Sequence, residues 1–175
     1  MKLEIIPEAL NRLKNPPKEL NFIGDTSLLS MPKVAVVGSR KASVYTKECV
    51  TALCAALKSA NVCVVSGGAI GVDITAHKAA MPRTIGVFAN GLDIIYPAQN
   101  RASIKEIYEK GLALSEYDYG EPPIAYRFLE RNRIVVGLAQ ALVVAQADLR
   151  SGSMQSARLA NELKIPLFVL PQRIN

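Results

Sequence analysis

Three short segments carry hydrogen-bond donors in a pattern that suits an anion: Gly38-Ser39-Arg40, Ser66-Gly67-Gly68-Ala69-Ile70-Gly71 and Ser151-Gly152-Ser153. Glycine lets a backbone approach a phosphate with no Cβ in the way, and free N–H groups at a helix start attract negative charge. Serine hydroxyls add donors, and the Arg40 guanidinium can hold two phosphate oxygens at once. One such loop alone is more often a tight turn or an N-cap. Three of them at one edge of a sheet favour an anion site. A fourth segment, Arg127-Phe128-Leu129-Glu130-Arg131-Asn132-Arg133, sets three arginines and an asparagine beside an aromatic ring. Guanidinium for phosphate and a ring face for a base suit nucleic acid. The competing reading is a charged helix start with Phe128 turned into the core.

Other chemistries fit less well. A dinucleotide fingerprint needs G-x-G-x-x-G, but Gly38 is followed by Ser39-Arg40-Lys41-Ala42-Ser43 with no second glycine. No acidic residue closes the second strand, and a Walker A lysine is missing, so NAD and ATP are disfavoured and no cofactor is expected. His77 is the only histidine, four residues after Asp73 and on the same helix face. With no serine or cysteine nucleophile at a matching position, the two read as a structural pair packing the helix, and no catalytic residue is assigned. Glu116 and Asp148 stand outside any ligand cluster, so no metal site is expected, and Glu116 reads as a loop cap or a partner for an arginine.

The elements that must position these residues follow from apolar runs alternating with helical patterns. Strands are predicted at Val34–Val37, Val62–Val65, Thr84–Phe88, Leu112–Leu114, Ala141–Val144 and Leu167–Leu170. Helices are predicted at Tyr45–Ser59, Val72–Ala80 and Arg101–Lys110, and near Asn132–Ala139 and Met154–Leu163. Strands apolar on both faces belong to a sheet covered on both sides. The class is therefore α/β, an open, mostly parallel doubly wound sheet of the Rossmann type. Ligands of such sheets bind beyond the carboxyl ends of the strands, where the three loops fall. Residues 1–32 read as a lead-in to a domain at 33–175. It holds a short amphipathic piece at Pro7–Leu13, stopped by Asn15-Pro16-Pro17, and an edge strand around Leu20–Ile23.

The bulk numbers agree with one globular domain: 175 residues, half of them hydrophobic and 21% charged. Lysine and arginine outnumber aspartate and glutamate by 21 to 15, and the net charge of +6 favours an anionic partner. Three cysteines with no C-x-x-C pair, Cys49, Cys54 and Cys63, read as free thiols in a reducing compartment. Met1–Pro7 lacks the apolar core of a signal peptide, and the apolar stretch Ile134–Ala147 is too short to span a bilayer. A cytoplasmic protein with no membrane partner is expected.

Taken in order, the motifs resemble the DprA/Smf family of DNA-processing proteins. The set is Gly38-Ser39-Arg40, Ser66-Gly67-Gly68-Ala69-x-Gly71-x-Asp73-x-x-Ala76-His77, Gly91-Leu92-Asp93-x-x-Tyr96-Pro97-x-x-Asn100, Ser115-Glu116, Phe128-x-x-Arg131-Asn132-Arg133 and Ser151-Gly152-Ser153. The resemblance runs from about Val34 to Pro171. It implies an extended Rossmann-like domain that binds single-stranded DNA, forms a homodimer and helps load RecA recombinase in natural transformation, with no bond chemistry of its own. Carried over by position, Gly38, Ser39, Arg40, Ser66, Gly67 and Gly68 would line a phosphate pocket, and Phe128 would stack on a base. Arg131 and Arg133, flanking Asn132, would meet the backbone, and Ser151, Gly152 and Ser153 would complete the floor. Ile70 stands where the family usually has arginine, Thr46 where it has glycine, and Pro171-Gln172 where it has proline–glycine. Members usually continue into further Rossmann elements and a small winged-helix-like module, whereas this sequence ends at Asn175. The alternative is a Rossmann-like enzyme acting on a nucleoside monophosphate or its ribosyl group. The lysine-decarboxylase-like motif P-G-G-x-G-T-x-x-E of such enzymes is absent here.

Overall fold

Short, mostly apolar runs form the strands of the computed structural model, which describes residues 1–171. They are β1 (Asn21–Gly24), β2 (Lys33–Val37), β3 (Cys63–Ser66), β4 (Thr84–Phe88), β5 (Leu112–Ser115), β6 (Ala141–Val144) and β7 (Leu167–Val169). The helices between them are α1 (Val44–Ser59), α2 (Val72–Ala80), α3 (Arg101–Lys110), α4 (Ala125–Leu138) and α5 (Gly152–Glu162). The sheet order is β1-β5-β4-β3-β2-β6-β7, parallel throughout except for β1, which runs antiparallel to β5. This is the open, mostly parallel α/β sheet that the apolar runs predict. The chain winds outward from β2 to β5 and then returns to place β6 on the other side of β2. The crevice for a ligand therefore opens between the carboxyl ends of β2 and β6.

Strand alternation builds a core on each face of the sheet. Ala35 and Val37 of β2, Val65 of β3, Val87 of β4 and Leu142 of β6 face the layer of α4 and α5. Val36, Val64 and Val143 face α1 and α2, while Phe88 and Ala113 face Ile104 and Ile107 of α3. Leu10, Leu13, Leu20 and Leu28 of the lead-in are buried in the same core as α4. Arg12 donates to the carbonyls of Gly137 (2.8 Å) and Ala139 (2.5 Å), a cation at the C-terminus of α4.

Two helices begin two or more residues before their predicted starts. Helix α4 begins at Ala125, seven residues before the predicted start at Asn132. Pro123 and the extended Ile124 (φ −116°, ψ 145°) set its boundary. Its first two turns border a cleft rather than the core, so no apolar period marks them. Helix α5 begins at Gly152 rather than Met154, with Ser151 as N-cap accepting from the Met154 N–H. Residues 172–175 of the expected 33–175 domain, including Gln172 of the Pro171-Gln172 pair, lie outside the described residues.

His77 does not pair with Asp73. Its Nδ1 lies 2.7 Å from Thr84 Oγ1, and that hydroxyl donates to the Val64 carbonyl, so Nδ1 carries the proton. Burial pushes the imidazole pKa down to about 3. In the unfolded chain it takes a proton near 6.5, so the unfolded state binds more protons between these values. Stability should therefore fall on acidification through that window, with a slope approaching about 1.4 kcal/mol per pH unit from this group alone. Urea unfolding of His77→Gln across the same range should show a shallower slope. Leu10→Ala should cost about 2–5 kcal/mol in a single unfolding transition, because the lead-in shares the core.

Candidate nucleic-acid interface

A cleft of about 740 Å³ occupies the crevice between the ends of β2 and β6. Gly38, Ser39, Arg40, Gly67, Phe128, Arg131, Asn132, Ser151, Gly152 and Ser153 all line it. Three expected positions do not. Ser66 is buried beneath the cleft and donates its hydroxyl to the Val36 carbonyl (2.6 Å). Gly68 turns its carbonyl to Asn100 Nδ2 (3.0 Å). Arg133 lies on another flank of α4, where Nη2 holds both Glu116 oxygens at 2.6 and 2.7 Å. Glu116 thus orients an arginine, one of its two expected roles.

The loops at the cleft are tied to one another. Ser39 donates its N–H to the Gln146 carbonyl (2.7 Å) and accepts at its own carbonyl from Val72 N–H at the start of α2 (3.2 Å). Gln146 Oε1 accepts from Ser43 N–H and from the Thr46 hydroxyl. Thr46 therefore braces the β6 end against the start of α1.

Arg131 sits at the bottom of the cleft and is only 4% exposed. Its Nη1 donates to the carbonyls of Gly67 and Val87, joining α4 to the ends of β3 and β4. A Cβ on Gly67 would fall on the guanidinium, so only glycine leaves room for it. Burial pulls the Arg131 pKa down to about 10, against the opposing charge of Asp73, and it remains a cation at neutral pH. Asp73 accepts from Gly67 N–H (3.2 Å); its burial raises its pKa, with Arg131 and the Gly67 and Ala69 N–H groups opposing.

The mouth of the cleft combines cation and ring. Arg40 lies 5.5 Å from the Phe128 ring centroid, and Tyr96 packs against the same ring at 5.8 Å with a 48° tilt. Lys41 adds a second positive charge and Asp148 a negative one. Tyr96 and Lys41 were not singled out as site residues from the sequence. The signal for Tyr96 was its place in the Tyr96-Pro97 motif, but its loop follows β4, and only the fold carries it to Phe128. The arrangement suits an extended anion whose bases can lie on exposed rings.

A family model described as DNA recombination-mediator protein A matches residues 2–175. The DNA processing protein DprA of Streptococcus pneumoniae is 39% identical over 96% of this chain and 60% of its own length. Protein Smf of Escherichia coli is 38% identical over 96% of this chain and 46% of its own. The chain thus spans about half the length of these relatives. The structure of DNA processing protein A from Helicobacter pylori, described for its single-stranded DNA binding mode, superimposes with a TM-score of 0.98. It is 49% identical over all of this chain and 82% of that one. The S. pneumoniae DprA structure gives 0.94 at 37% identity over 99% of this chain and 64% of that one. A molybdenum cofactor binding protein from Rippkaea orientalis shares the fold alone, at 16% identity and a TM-score of 0.59.

Replacing Gly67 by alanine should displace Arg131 and lower thermal stability. Arg131→Ala should cost about 2–4 kcal/mol in urea unfolding, since it strips two carbonyls of a charged donor.

Proposed function

The chain belongs to the DNA recombination-mediator protein A family, and on that premise we propose that it binds single-stranded DNA in the cleft between β2 and β6. The observation that carries this reading is the Arg40–Phe128–Tyr96 cluster opening onto the Ser/Gly loops. A backbone phosphate meets Arg40, the Gly38–Ser39 loop and the start of α5, while a base lies on Phe128. Arg131 acts from below as a fixed positive charge, and Asn132 offers an amide at the rim. Ser66 and Gly68 shape the floor without touching the strand, and Arg133 holds Glu116. Family membership and the net charge of +6 support this choice of ligand.

The protein in this reading is a binding module and not an enzyme: among the described residues, the cleft-lining serines Ser39, Ser151 and Ser156 bond to backbone groups and to no histidine or carboxylate. It works in the cytoplasm as a homodimer that hands the strand to RecA recombinase during natural transformation, as the family resemblance suggests. No helix among the described residues is long and apolar enough to cross a membrane.

Fluorescence anisotropy with labelled oligo-dT, competed by duplex DNA and by AMP, tests the ligand class. Four phosphate contacts should give a log–log salt slope near about −3, at roughly −0.7 per phosphate. Arg40→Ala should weaken binding by about 1–3 kcal/mol, and Phe128→Ala by a similar amount through lost stacking. Equal affinity for duplex, or displacement by AMP with little salt dependence, overturns the reading.

A further inference from the structure

The cleft continues past α4. Leu129, Asn132 and Ser156 border both the main cleft and a second groove of about 310 Å³ between α4 and α5. The saddle between the two is low because residue 152 carries no side chain. A Cβ there would stand 3.3 Å from Asn132 Nδ2 and 3.4 Å from Leu129 Cδ2. Leu129, 47% exposed, forms the ridge beside it.

The groove is furnished for one more anionic unit. Arg158 stands exposed on α5, and no ion pair holds it among the described residues. Arg133 borders the groove, and its buried Nη1 has no hydrogen-bond partner among the described residues. One turn beyond Arg158, Glu162 lines the far end, where its carboxylate repels a phosphate. Resting on the single-stranded DNA reading, we infer that the strand leaves the cleft over the Asn132–Gly152 saddle and enters this groove, where Arg158 takes a further backbone phosphate. Leu129 and Leu159 give the sugar and base an apolar surface. Glu162 ends the track after that one phosphate.

The test compares two labelled oligo-dT probes on the 175-residue chain: a short one of about four phosphates, enough for the cleft alone, and one about twice that length. Arg158→Gln, at an exposed position, should weaken the longer probe about three- to fivefold, the scale of one solvent-exposed charge contact. It should also reduce that probe's salt slope by about 0.7 and leave the short probe unchanged. Glu162→Gln should tighten the longer probe about twofold. Wild-type binding of both probes with no selective effect of Arg158→Gln, or an equal loss on both, overturns the groove assignment and leaves the cleft standing. Failure of the wild-type chain to bind either probe removes the single-stranded DNA reading, and the groove assignment falls with it.

Discussion

The cleft depends on one buried cation. Arg131 enters from α4 and donates to the carbonyls at the ends of β3 and β4, groups that a parallel strand leaves unpaired where it stops. Burial lowers its pKa to about 10, with the field of Asp73 opposing, so it stays protonated at neutral pH. Because the guanidinium packs flat on Gly67 and bonds both strand ends, it ties the second loop, the helix and the sheet together. Phe128 precedes Arg131 by three positions and Asn132 follows it directly, so the same anchor fixes the ring and the amide that face the cleft.

A buried arginine has a second consequence: it places positive potential under the Ser/Gly loops without exposing a flexible side chain. Arg40 supplies the solvent-facing charge, and Arg131 the buried one. Asp73 tempers the charge at the floor, and Asp148 does so at the rim. The result is a crevice biased toward anions but not dominated by a cationic patch. The sheet's change of winding direction between β2 and β6 supplies the space.

Much of the fold was legible because its signals are local. Helices α2 and α3 and strands β4 and β6 have the predicted limits, since each is an apolar period bounded by glycine, proline or a polar turn. The start of α4 was not, because Ala125, Phe128 and Leu129 face a cleft and the first turns carry no core periodicity. His77 misled for a related reason. The four-residue spacing put it on one face with Asp73, but the imidazole turns to Thr84 on a neighbouring strand and Asp73 turns to Gly67. Spacing along a helix reveals which residues can meet, not what a third element offers in competition.

The sequence by itself determined the class of the sheet, the edge at which its loops gather and the small, polar, cationic character of those loops. These follow from periodicity and residue type, which act over a few positions. Tertiary structure alone decided the division of labour among the arginines. Arg40, Arg131 and Arg133 are chemically equal on paper. One opens to solvent beside a ring, one is buried under Gly67, and one is held by Glu116. That choice depends on which carbonyl, ring or carboxylate a distant segment brings within about 3–6 Å of each guanidinium, a matter of packing that no local pattern encodes.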